Sequence, residues 1–154
     1  MRRTLRAFAG GAVLAIALCA RPEAQSGCNA EPAYQYYGQG QAGAGGVPDL
    51  TLFGIPMVAQ DLVLILGNPV GGPTRAALLF GREPGPARPF YGYEPLVDAT
   101  HVVPVELLPG STFLTFTVPP SACGVTSYVQ LVVLDDTAPG NVAASRGLEL
   151  RFGQ

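Results

Sequence analysis

Lysine and tryptophan are missing from this chain, histidine occurs once, and only 13% of the residues are charged. A single imidazole, His101, excludes most metal sites built on histidine and leaves one candidate general base. With no lysine, arginine carries all nine basic charges. They are scattered, so no basic patch could neutralise a nucleic-acid backbone, and nucleic acid is not an expected partner. Helical periodicity is missing as well. Beyond the first 26 residues no stretch repeats apolar residues at i, i+3, i+4, i+7 over three turns, and prolines interrupt nearly every window long enough to try. A parallel βαβ fold needs crossover helices and is therefore excluded. The three cysteines show no C-x-x-C spacing, which argues against a redox pair.

The N-terminus is rich in information. Arg2, Arg3 and Arg6 precede an apolar run from Ala7 to Ala20, and Ala24-Gln25-Ser26 supplies small residues for cleavage. This layout predicts a secretory signal peptide over residues 1–26 and a single domain over 27–154. The run is too short to span a bilayer, so no membrane span is expected after cleavage. Lipidation at Cys19 is disfavoured by Leu18, which stands where that processing wants a small residue, and Arg2-Arg3 fits a twin-arginine signal only in part. Cleavage removes Cys19 and leaves Cys28 and Cys123, which are expected to pair in an oxidising compartment, secreted, periplasmic or at the cell surface. It also removes four of nine basic and one of eleven acidic residues, leaving five against ten and a net charge of −5.

The 20 glycines and 15 prolines would suggest disorder in a polar chain, but at 48% hydrophobic residues they read as turns between short buried strands. Leu148-Glu149-Leu150-Arg151-Phe152 alternates cleanly, and so does Thr112 to Val118, with Leu114, Phe116 and Val118 inward and Thr115 and Thr117 outward. Asp61 to Leu66 and Tyr128 to Leu134 are nearly continuous apolar runs that suit central strands covered on both faces. Further strands are expected at Tyr34–Tyr37, Leu50–Phe53, Ala76–Phe80 and Leu96–Val105, the last broken at Pro104. About eight strands without helices predict an all-β fold, an antiparallel β-sandwich of jelly-roll or Ig-like type. Gly38 to Pro48 reads as an ordered glycine-rich loop or the lead-in to a strand, and Gly81 to Pro89 as a long, stiff, exposed loop.

Tyr37-Gly38-Gln39-Gly40, Gly45-Gly46-Val47-Pro48 and the ending Gly147-Leu148-Glu149-Leu150-Arg151-Phe152-Gly153 together resemble a recurrent module in exported proteins of environmental Gram-negative bacteria. That module often ends larger secreted chains, and the resemblance covers about Tyr37 to Gln154. It carries weight for fold and implies no activity. The family usually places one cysteine after its first Y-G-x-G and a second in G-C-x-L. Here those positions are Gln41 and Tyr93, so the resemblance implies that this bridge is lost and that Cys28 and Cys123 pair in its place.

Few residues could carry chemistry. His101 lies in a predicted strand, and Ser111, Ser121, Ser127 and Ser145 lack the G-x-S-x-G context of a nucleophile elbow. Glu94, Asp98 and Glu106 fall in one region and Asp135-Asp136 in another, and paired carboxylates could support hydrolysis, although ten acids in a domain this size make some pairs by chance and a solvated acidic surface is the expected reading. Asp135, Asp136 and Asn141 form an oxygen-rich turn that could hold calcium, but without the D-x-[DN]-x-[DN]-G pattern. Tyrosines gather at Tyr34, Tyr36 and Tyr37, and Phe90, Tyr91 and Tyr93 follow the stiff loop, where exposed rings could stack on a sugar. The expected function is thus an exported, non-enzymatic structural or interaction module meeting protein or glycan at the cell surface, with no cofactor. A carbohydrate-binding module using Phe90, Tyr91 and Tyr93 is the alternative, and a hydrolase a minor one.

Overall fold

The computed structural model describes residues 28–85 and 92–154. The expected signal peptide and the residues Phe90 and Tyr91 lie outside them. Among the described residues nine strands form: β1 (Ala33–Tyr37), β2 (Asp49–Phe53), β3 (Asp61–Asn68), β4 (Thr74–Pro84), β5 (Val97–Leu107), β6 (Gly110–Thr117), β7 (Thr126–Leu134), β8 (Val142–Ala144) and β9 (Gly147–Arg151). The larger sheet runs β1-β9-β7-β4-β5, with β8 paired to the end of β7, and the smaller runs β2-β3-β6. Every strand pair is antiparallel. The fold is thus the expected all-β sandwich, and the ninth strand is the three-residue β8, too short to leave a period in the sequence.

Alternation explains how the two layers meet. Leu62, Leu64 and Leu66 on β3 are at most 1% exposed. They join one apolar cluster with Leu78 and Phe80 of β4, Val129, Leu131 and Val133 of β7, and Leu148 and Leu150 of β9. Each fully buried aliphatic side chain contributes about 1.5–3 kcal/mol. This shared interior is what holds the layers together.

Three expectations change. The run Asp61 to Leu66 is central in its sheet but covered on one face only, since Val63 and Ile65 stay half-exposed. Pro104 does not break β5, because β5 is an edge strand whose free side needs no N–H. Residues Gly81 to Pro84, expected to begin a loop, instead end β4 after two shifts in register.

The outer face of the larger sheet is covered by the chain itself. Leu79, Tyr93 and Val97 are buried there, and so is Gln130, a polar side chain with no solvent contact. The Leu96 N–H donates to Gln130 Oε1 at 3.0 Å, and Gln130 Nε2 donates to the Ser145 carbonyl at 3.0 Å. Ser145 Oγ in turn accepts from the Leu131 N–H at 3.0 Å and donates to the Arg146 carbonyl at 2.7 Å. Every polar group in this chain of contacts has a partner, as burial demands. The Tyr37 hydroxyl donates to the Leu96 carbonyl, and burial, followed by Tyr128 and Glu149, pushes its pKa well above the ordinary tyrosine value.

The segment that follows Cys28 and the C-terminal Gln154 meet at one end of the sandwich. Cys28 and Cys123 are bonded with Cα atoms 5.9 Å apart, within the range a disulfide requires. Beside them the Gln154 N–H donates to the Ala30 carbonyl at 3.0 Å, and Gly124 and Phe152 exchange contacts through Gly124 N–H to Phe152 O at 2.8 Å.

Candidate functional site

The residues singled out in the sequence do not converge. Tyr93 is 9% exposed, so its ring packs inward and offers no open face to a sugar, and burial raises its pKa. Gln41 makes a backbone bridge with Ala144, and its side-chain amide donates to the Pro139 and Val142 carbonyls at 3.0 and 2.8 Å. Gly92, next to Tyr93, packs against Pro139 and Gly140. The two positions implied to have lost a bridge therefore flank the same short turn.

That turn also contains the oxygen-rich residues. Asp135 is buried, while Asp136 and Asn141 are exposed. Asp135 Oδ1 accepts from the Thr137 N–H at 2.9 Å and from the Thr137 hydroxyl, and these two bonds hold the carboxyl below the usual carboxylate range. Its other oxygen is buried against Gly43, where an added Cβ would stand 1.6 Å away. With the Ala44 N–H donating to Thr137 Oγ1 at 2.9 Å, the turn works as an anchor for the glycine-rich loop. That loop needs glycine because its backbone lies directly on the carboxylate.

Among the serines, Ser145 is buried in the Gln130 network and Ser127 donates to the Gly81 carbonyl at 3.4 Å. His101 is exposed, and Nδ1 lies 3.0 Å from the Thr100 hydroxyl. Among the described residues, no serine or carboxylate reaches the His101 ring. Asp98 and Glu106 stand near opposite ends of β5, where the register sets Glu106 beside Arg75.

What the structure does assemble is the outer surface of the smaller sheet. The register sets Phe53 beside Val63 and Val63 beside Thr115 on one row, and Thr51, Ile65 and Phe113 on the next. Phe53 is 70% exposed and Phe113 63% exposed, with Ile55 close in sequence at 58%. Phe53, Val63, Ile65 and Phe113 thus form a contiguous apolar patch, where a solvated sheet face ordinarily carries polar residues.

The two edges of the smaller sheet differ. On β2 the Leu52 N–H is capped by the Tyr36 hydroxyl at 2.9 Å, a contact that links the two sheets. On β6 the edge from Gly110 to Thr117 has no strand partner among the described residues. Its sequence GSTFLTFT contains neither proline nor charge, the usual devices that protect an edge. The neighbouring edge strand β5, by contrast, carries Pro104, Asp98 and Glu106.

Phe113 was within reach of sequence reasoning, because it shares the phase of Thr115 and Thr117 and must point outward with them. Phe53 was not, since a five-residue strand has no marked phase until its partner is known. No family model, no curated protein and no solved structure matches this chain.

Proposed function

We propose that this chain is an exported, non-enzymatic module that acts in surface or matrix assembly by protein contact, through the apolar face and open β6 edge of its smaller sheet. The observation that carries the reading is the patch of Phe53, Val63, Ile65 and Phe113, two of whose members are more than 60% exposed. Isolated apolar residues on a surface need no explanation, but this group is contiguous across three strands, on a sheet face that alternation ordinarily leaves polar. The disulfide Cys28–Cys123 fits an oxidising compartment. Among the described residues, no helix is long and apolar enough to cross a membrane. The resemblance to exported modules of environmental Gram-negative bacteria belongs to the same reading.

Size sets the character of the contact. Three strands about 4.8 Å apart and five residues long at about 3.3 Å each give a face of roughly 240 Å² in projection. A stable pairwise complex covers about 800 Å² per partner. A single contact through this face is therefore weak, and assembly depends on high local concentration or on strand addition at β6 extending the sheet. Sedimentation velocity on the oxidised protein up to millimolar concentration tests this. Reversible association that the pair Phe53→Ser and Phe113→Ser abolishes, without lowering the unfolding temperature, is the expected result; a strict monomer throughout that range overturns it.

A further inference from the structure

At the disulfide end of the sandwich the two sheets part and leave a cleft of about 250 Å³. Its walls are apolar: Phe80 and Leu150 from the larger sheet, Phe116 from the smaller, Val118 just beyond β6 and Phe152 beyond β9. Its rim is polar, with Arg82, Thr100, His101, Thr126 and Ser127. Arg82 and His101 are exposed. Among the described residues the one ion pair joins Arg151 to Glu149, so no described carboxylate is bound to Arg82.

The rim is the product of a local break in strand geometry. Phe80 faces His101 across the ladder, but the next residue, Gly81, faces Ala99, which leaves Thr100 as the extra residue of a bulge. Regular alternation would send Thr100 and His101 to opposite faces of the sheet. With the bulge, both line the cleft, and the Thr100 hydroxyl lies 3.0 Å from His101 Nδ1 and 3.4 Å from the Phe80 carbonyl. The bulge depends on Gly81, where an added Cβ would lie 2.1 Å from the Asp98 carbonyl oxygen. The charges around the mouth are few. Thr117 on β6 donates to Asp61 Oδ1 at 2.5 Å, so that carboxylate is already engaged; Glu149, next to Leu150, is paired with Arg151, and Glu83 and Asp98 are the other acids close in sequence to the lining residues.

We infer that this cleft binds a small amphipathic carboxylate, its apolar body between the sheets and its head at Arg82. An apolar pocket with a few convergent polar groups is the usual form of a small-molecule site. The unpaired guanidinium decides the sign of the head group, because its planar fork matches a carboxylate and a cationic ligand would meet repulsion. The Thr100, Thr126 and Ser127 hydroxyls and the His101 ring supply the remaining polar contacts at the rim. Volume decides the size class: at about 250 Å³ the cleft falls just below the usual range of ligand pockets, which suits a short single chain such as that of octanoate. This goes beyond the assembly reading and uses a different part of the molecule.

Octanoate, octanol, octylammonium and acetate titrated into the oxidised full chain by calorimetry, with NMR as a second readout, test the assignment. Octanoate is expected to saturate one site, with octanol and octylammonium at least about tenfold weaker and acetate without saturation, which shows that head and tail both count. Arg82→Gln is expected to weaken octanoate about tenfold and to erase its advantage over octanol. Arg82 is exposed, so the unfolding temperature of this variant should match the parent. His101→Gln is the second variant, expected to weaken octanoate by a smaller factor. Absence of saturable octanoate binding, equal affinity for octanol, or an unchanged preference in Arg82→Gln each overturns the inference.

Discussion

Replacing both members of the Cys28–Cys123 bond by serine isolates the effect of one covalent tie on the whole sandwich. The bond closes a loop with a sequence separation of 95 residues. In the chain-entropy model, releasing a loop of that length returns about 4.7 kcal/mol of conformational freedom to the unfolded chain at 25 °C. For the roughly 120 described residues the unfolding entropy is about 0.25 kcal/mol/K, so that loss corresponds to a fall in melting temperature of about 19 °C. The native state should change little, because both cysteines are only partly buried and the neighbouring ends keep their backbone bonds between Gln154 and Ala30 and between Gly124 and Phe152. Differential scanning calorimetry gives the temperature shift, and urea unfolding gives a second signature: a larger m value, since the freed unfolded chain exposes more surface. A fall of less than about 5 °C with an unchanged m value would refute the argument that this bond acts by restricting the unfolded state.

Two further outcomes follow from the buried polar groups. Gln130→Leu keeps the volume but strands the Leu96 N–H and the Ser145 carbonyl, and should cost about 2–4 kcal/mol in urea unfolding. Thr137→Val removes the hydroxyl bond that leads the lowering of the Asp135 pKa. A carboxyl with a depressed folded pKa contributes stability above its unfolded value of about 3.9, and that contribution is lost as pH falls through the folded value. The stability gap between parent and Thr137→Val should therefore be widest near pH 5 and close towards pH 2, as followed by chemical unfolding at each pH; a gap that is constant across this range would show that the hydroxyl matters only for packing.

The readable parts of the fold were those with period two and a long enough run to show it. Thr112 to Val118 and Leu148 to Phe152 announce both their strand character and their inner faces, and the structure places Leu148, Leu150 and Phe152 in the common core. Gln130 illustrates the opposite case. It interrupts an apolar run, and nothing local says that it is buried, because its partners at Leu96 and Ser145 lie 34 and 15 residues away. The proposed cleft was similarly hidden. His101 was visible as the sole histidine, but Thr100 and Arg82 line the same cleft with it only through a bulge, which depends on how β4 and β5 align.

Local composition was enough to determine an all-β chain with antiparallel strands, since alternation, turn residues and the absence of helical periods are all properties of a few neighbouring residues. It was also enough to select Cys28 and Cys123 as a pair, because only two cysteines remain once the expected signal peptide is removed. Tertiary structure decided which apolar residues stay outside. Asp61 to Leu66 reads as doubly covered, yet only its leucine face meets the second sheet, while Val63 and Ile65 share an open surface with Phe53 and Phe113. Burial is a property of what lies across a 10 Å gap between layers, and that partner is supplied by segments distant in sequence.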